Sequence, residues 1–359
     1  MASWTLDRAY TGDAANYLSM AFDTSGYPHF VTVGTGGTAA YYVYWDGAAW
    51  QNESVDTLTV GVMYPVLLLD SGDVPHIVYS QSTTARTKYV NRVGGTWSAV
   101  ETIDNTYGYT GQTSAVIDSS DDIHVAYYAS LTIYKDLRYV VGSSGSWAAE
   151  AVDTTGDVGV CPSIALASDG TVHIAYCQGD GSQYLKHAYG TAGAFTVEIA
   201  DSTTTGILGT SIALDSGGYP HIGYFYTDTV MYVKETAAGW QTPTTVVSSN
   251  AGGHQRVALD YADRPYIVYD LTDGTLRFAS YTGTWATEVV DDTAGEHVGH
   301  YPRIHLDNST GYVYIGHHDF TNKDIKYAYA YVFVPICQPL MKRATTVPYS
   351  RQWHPRMKY

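Results

Sequence analysis

Cysteine, cationic side chains and long apolar runs are all scarce in this chain of 359 residues. The three cysteines, Cys161, Cys177 and Cys337, show no C-x-x-C spacing, so a zinc-ribbon scaffold is excluded, and three thiols cannot staple a chain of this length. Lys and Arg number 19 against 35 Asp and Glu, a net charge of −16, which argues against the phosphate backbone of a nucleic acid as partner. No run of about 18 apolar residues occurs, so no membrane insertion is expected. No stretch holds apolar residues at helical spacing for three turns, which sets aside the helical repeat arrays. The G-x-S-x-G elbow, a glycine-rich phosphate loop leading into a helix, and an isolated carboxylate pair are also missing. The opening residues, Met1 to Arg8, lack a basic region followed by an apolar one, so a secretory signal is not expected. Action at a cell surface or on a virion would then need lysis, a dedicated secretion machine or packaging; a cytoplasmic location stays open.

What the chain has in quantity is tyrosine, 34 residues, and glycine, 35, laid out with a period. Trp4, Trp50, Trp97, Trp147, Phe195, Trp240 and Trp285 recur at steps of 46, 47, 50, 48, 45 and 45 residues. A fixed period in that range marks an array of identical supersecondary units. Around Trp147 the unit reads W-A-A-E-A-V-D, S-I-A-L-A, V-H-I-A-Y and L-K-H-A-Y, four short Val-, Ile- and Tyr-rich segments divided by Gly, Asp and Ser clusters. Four strands per ~45 residues is one propeller blade. The expected fold is therefore all-β, a seven-bladed β-propeller of four-stranded blades spanning residues 1–331. The last unit has no aromatic-led strand after it, whereas Trp4 to Tyr10 precedes any complete unit. The N-terminal strand should close the ring as the outermost strand of blade seven.

Repeated polar residues have structural readings. His29, His76, His124, His173 and His221 open the second strand of successive units, but Tyr266 and Tyr314 stand there in units six and seven. Tyrosine replaces a packing and hydrogen-bonding ring better than a metal ligand. Asp23, Asp70, Asp118, Asp215, Asp260 and Asp307 end the first strand, where a carboxylate accepts backbone N–H groups of the turn. Glu53, Glu150, Glu198 and Glu288, three residues past the marker, are expected to guard the outermost strand against edge pairing. The marker aromatics are expected to pack blade on blade, with sugar stacking as the alternative.

Chemistry unique to one place must break the repeat, and departures gather in the last two units. Asp270, His297, His300, Tyr301, His317, His318 and Asp319 are the candidate ligand-binding residues, and His305 also departs from the template. The loop entering a first strand and the loop leaving a second strand open on one face, so these groups can converge. Several imidazoles with a carboxylate could hold zinc or another transition metal, but without H-x-H or H-x-x-x-H spacing no metal ligand set is assigned and no cofactor is expected. An atypical end repeat is the alternative. Cys161 and Cys177 flank the turn near Asp169 at equal distances, as either a cross-strand disulfide or two reduced neighbours.

Residues 332–359 contain Lys342, Arg343, Arg351, Arg356 and Lys358 and no acid, a charge of +5, leaving −16 − 5 = −21 on the body. Pro335, Pro339, Pro348 and Pro355 forbid regular structure. This segment is expected to run extended as a docking tail for a neighbouring subunit, with Lys342, Arg343, Arg351, Trp353 and Arg356 as contact residues. The alternative is a solvated basic tail.

The recurring S-I-A-L-D, G-x-P-H-I-x-Y, L-x-Y-A and G-x-W-x-x-E segments over residues 4–331 resemble the repeats of seven-bladed bacterial propellers grouped with fucose-specific and Photorhabdus-type lectins. The resemblance implies glycan binding in clefts between blades, without catalysis. The expectation is thus a recognition or structural propeller, not an enzyme, displayed as part of a virion or cell-surface assembly. Its partners would be glycans, surface proteins and neighbouring subunits. A purely structural subunit anchored by the tail is the alternative, and a glycan-active enzyme the third.

Overall fold

The computed structural model describes residues 2–332 apart from 15, 38, 56–60, 106–109, 132–133, 180–183 and 203–205. Its strands form seven antiparallel sheets with four strand positions from the axis outward, the outermost being split into two short strands in blades two and five. Blade one comprises Asn16–Phe22, Pro28–Val33, Ala40–Trp45 and Trp50–Ser54. Blade six comprises Ala251–Leu259, Pro265–Leu271, Leu276–Tyr281 and Trp285–Asp291. Blade seven runs His300–Asp307, Tyr312–Asp319 and Asp324–Tyr331, and its outermost strand is the N-terminal Thr5–Tyr10. Thr5 pairs with Tyr329 and Asp7 with Tyr327, so the two ends of the ring are tied by a backbone ladder, as the count of markers requires. Among the described residues the one helical element is a 3-10 turn at Thr35–Gly37, and no helix is long and apolar enough to cross a membrane.

Within a blade, the turn between the first two strands is locked by its aspartate. Asp70 Oδ1 accepts the N–H of Gly72 and of Val74, both at 2.8 Å, and Asp23, Asp118, Asp215 and Asp260 repeat the pattern. The other oxygen reaches the repeated histidine: His76 Nε2 lies 3.2 Å from Asp70 Oδ2, while its Nδ1 lies 2.6 Å from the Tyr89 hydroxyl on the third strand. His124 with Tyr139 and His221 with Tyr232 make the same link at 2.6 Å. Where unit six carries Tyr266, its hydroxyl donates directly to Asp260 at 3.1 Å. The histidine series is a structural spoke.

Each marker aromatic leaves its own blade and packs on the third strand of the preceding one. Trp97 meets Tyr42, Trp147 Tyr89, Phe195 Tyr139, Trp240 His187, Trp285 Tyr232, Trp4 Phe278 and Trp50 Tyr327, all edge-to-face with centroids 5.0–5.8 Å apart. That is one pair at every seam of the ring. The indole N–H then donates to an outer-strand group of the preceding blade: Trp97 to Glu53 at 2.9 Å, Trp240 to Glu198 at 3.0 Å and Trp4 to Glu288 at 3.1 Å. Phe195 has no N–H, and there Glu150 accepts the backbone N–H of Gly193 instead. The glutamates expected as edge guards are therefore also seam acceptors.

A second seam layer lies deeper. The buried Asp104, Asp153 and Asp201 accept the hydroxyls of Tyr127, Tyr176 and Tyr224 in the next blade. Cys161 and Cys177 are both free thiols. A bulge between Val160 and Ser163 sets Val160, not Cys161, opposite Cys177, which the equal spacing about the turn does not reveal. Residues 333–359, with Cys337 and the tail residues Lys342, Arg343, Arg351, Trp353 and Arg356, lie outside the described residues.

Removing a marker ring opens a seam. Trp97→Ala should lower stability by about 3 kcal/mol in chemical denaturation, the usual cost of truncating a large packed aromatic. Burial lowers the pKa of His173, His221 and His318 to about 4 and that of His317 to about 3. In the unfolded chain these rings titrate near about 6.5, so between about pH 4 and 6.5 the unfolded state binds more protons. Stability is then present above about pH 6.5 and lost on acidification through that window. Denaturant midpoints measured from pH 7 downward should fall, and His221→Tyr, matching Tyr266 of unit six, should make the fall shallower.

Candidate functional site at the mouth of the central channel

The innermost strands of all seven blades line an axial cavity of about 360 Å³. Each of these strands is irregular near its start, and in four of them a non-glycine residue takes a positive φ: Tyr17 (53°), Tyr64 (50°), Cys161 (52°) and Tyr301 (49°). A bulge re-aims the side chain it carries, and here the re-aimed side chains line the channel. The equivalent residue is His254 in blade six, preceded by Gly253 with φ of 104°. Tyr64, Tyr17, Tyr301 and His254 consequently form a continuous arc across blades two, one, seven and six. Their centroids are 4.6, 5.3 and 4.4 Å apart in that order.

The arc continues into the histidines of blade seven. His254 lies 5.5 Å from His300 between centroids, and His300 Nε2 lies 3.0 Å from His297 Nδ1. Asp270, buried at the end of the second strand of blade six, accepts the backbone N–H of His254 and faces its Nδ1, both at 3.0 Å. The carboxylate therefore fixes the orientation of the His254 ring. His300 is held below its ordinary pKa, chiefly by burial, with Asp270 opposing and His254 and His297 adding to the effect. Burial likewise raises the Tyr301 phenol, so both groups are neutral near pH 7. His254, Asp270 and His300 each offer one ligand atom within 4.8 Å of the others, a donor set of the kind that can hold a transition metal ion. His187, Glu198 and Glu235 make a second such group, but His187 and Glu198 already belong to the Trp240 seam.

Of the residues singled out in the sequence, Asp270, His297, His300 and Tyr301 converge at this mouth. His318 lies behind it, its Nε2 on the Ala14 carbonyl and its pKa lowered by burial and then by His300 and His254. His317, next in the strand, points the opposite way because side chains alternate. It is fully buried in the seam beside Asp291 and Lys326, the place that Tyr127, Tyr176 and Tyr224 occupy in blades three to five. Asp319 accepts the N–H groups of Thr321 and Asn322 and is a turn residue. His305 stacks on Phe22 of blade one at 4.1 Å and closes the last seam.

Several channel residues carry no mark in the single-unit pattern. His254, Tyr17 and Tyr64 are visible only when the first strands are aligned by their bulges. The position two residues further in reads Ser19, Val66, Ser114, Ser163, Ser211, Arg256 and Arg303 around the ring. The four serine hydroxyls at Ser19, Ser114, Ser163 and Ser211 accept the N–H of Leu67, Ile164, Ile212 and Val257 in the next blade, at 3.0–3.2 Å. Blades six and seven replace that small linker with arginine.

No family model and no curated protein matches the sequence. Solved structures do share the fold. A polysaccharide lyase, PL25 ulvan lyase bound to -[GlcA(1-4)Rha3S]-, is similar over 89% of this chain and 94% of its own, with 12% identity and a TM-score of 0.61. The polysaccharide lyase Uly1 is similar over 90% and 92%, with 9% identity and a TM-score of 0.59. The Aleuria aurantia lectin in complex with α-methyl-L-fucoside is similar over 80% and 99%, with 12% identity and a TM-score of 0.52. The chain is thus a seven-bladed β-propeller, similar in fold to the fucose-specific Aleuria aurantia lectin, which is itself a six-bladed propeller. The expectation that it is not an enzyme is corrected by the two lyases: a similar propeller fold, over about nine-tenths of this chain, is that of proteins that cleave polysaccharides, so the fold does not exclude catalysis. That expectation rested on the structural role of every repeated residue, and the channel mouth is built from residues that do not repeat.

Proposed function

We propose that the protein recognises saccharide chains at the mouth of the central channel. The observation that carries this reading is the arc of Tyr64, Tyr17, Tyr301 and His254, a run of ring faces around a cavity of about 360 Å³. Sugars present flat C–H faces that stack on such rings, and neighbouring hydroxyls find partners in the adjoining polar groups. The fold's use by both lectins and polysaccharide lyases supports the same ligand class. Cleavage of the bound chain is a second reading, favoured by Asp270 orienting His254, since a carboxylate-held imidazole is suited to moving a proton.

A glycan array should show binding that drops about tenfold or more for Tyr301→Ala, in line with the loss of one stacking face. A blank array, or a variant that binds as well as the parent, would end the saccharide reading. Incubating the bound polysaccharides with the protein and following new reducing ends separates retention from cleavage.

Display on a larger particle, through docking of residues 332–359, rests on the division between a body of −21 and a tail of +5. Deleting the tail should leave the ring folded and prevent incorporation into that particle, as read by co-sedimentation. Unchanged incorporation would refute it.

A further inference from the structure

Arg256 and Arg303 occupy the position that the repeat assigns to serine, side by side in blades six and seven, and both line the central channel. Arg138, Arg92 and Arg264, also buried or half-buried, have the carboxylate partners Asp104, Glu53 and Asp260, while Arg86 and Arg277 donate to the Ala85 carbonyl and the Thr275 hydroxyl outside the channel. Among the described residues neither Arg256 nor Arg303 forms an ion pair. Arg256 Nη1 donates to the Gln255 carbonyl at 2.7 Å and Arg303 Nη1 to the Pro302 carbonyl at 3.0 Å. A guanidinium has five N–H donors, so most of each fork is left for the cavity. Burial lowers the pKa of both groups, and Arg256 lowers that of Arg303 further; no carboxylate acts on either.

Two like charges, half-buried and neighbouring, with no carboxylate partner among the described residues of so acidic a body, are a costly arrangement to keep. Four serines at the same place show that the fold does not need arginine there. A planar fork matches a carboxylate or sulfate bidentately, and a pair of forks can clamp one such group.

We infer that Arg256 and Arg303 form an oxyanion clamp in the channel, making the site selective for glycans that carry a carboxylate or sulfate, such as uronic acid or sulfated sugar units. The inference rests on the saccharide reading of the mouth and adds the class of sugar. The arc of rings would hold the sugar face while its acidic substituent points down the channel to the guanidinium pair.

The test is calorimetric titration of the full chain with methyl glucuronide, a sulfated monosaccharide, neutral methyl glucoside and inorganic sulfate, repeated with Arg256→Ser/Arg303→Ser. The charged sugars should bind the parent and weaken with rising salt, and the double variant should lose about tenfold or more of that affinity. The variant should also melt at a higher temperature, because it restores the serine of the other blades and removes the repulsion. Arg256→Gln/Arg303→Gln, which keeps the bulk without the charge, serves if the serine variant fails to fold, and should show the same loss. Equal binding of neutral and charged sugars, or undiminished anion binding in the variants, would overturn the clamp. Binding of inorganic sulfate without any sugar would support the clamp and overturn the saccharide reading.

Discussion

Every blade of this ring is joined to its neighbour by one aromatic ring standing edge-on against another, and the rest of the molecule depends on that contact. A single blade is a twisted four-stranded sheet with two apolar faces and cannot bury both alone. The marker aromatic on its outermost strand reaches the third strand of the blade before it, and seven such pairs close the circle. The receiving tyrosine is, in blades one, two, three and five, the same one whose hydroxyl meets the repeated histidine, which in turn meets the turn aspartate. Turn, spoke and seam are one connected series of groups. Each edge-to-face pair adds about 0.5–1.5 kcal/mol beyond its buried area, and the series also fixes the angle at which blades meet.

Because the repeated residues are occupied in holding the ring, they are not free for chemistry. The residues that remain are those that differ between blades, and they collect where all blades come together, at the axis. Blades six and seven supply Arg256 and Arg303 where other blades supply serine or valine, together with His254 and His300, and blades one and two complete the arc with Tyr17 and Tyr64. The asymmetry costs stability: rings sit on bulged residues with positive φ, and two neighbouring guanidinium groups have no carboxylate partner among the described residues. Strain and unpaired charge concentrated at one end of an otherwise regular ring are the physical mark of a site.

Much of this was legible from residue order. The marker period defines seven units, the surplus strand at the N-terminus defines the closure, and tyrosine standing in for histidine in units six and seven excludes a row of metal sites. Asp270, His297, His300 and Tyr301 were also reachable, as departures from the template near one face. His317 and His318 were not separable by that argument, although strand alternation requires them to point apart. Aligning His317 with Tyr127, Tyr176 and Tyr224 would have assigned it to the seam. Arg256 and Arg303 carry no signal in their own units, because an arginine on an inner strand is unremarkable until the five other inner strands show serine or valine at its place.

The amino-acid order by itself determined the class of fold, the number of blades and the way the ring closes, because these follow from local periodicity and from counting. Tertiary structure alone decided what stands around the axis. The channel is assembled from one short stretch of each blade, roughly 47 residues apart along the chain, and the bulges that aim their side chains shift the register by amounts that hydrophobic patterning does not encode. Which side chains meet across a closed ring is a property of the closure, and no single unit contains it.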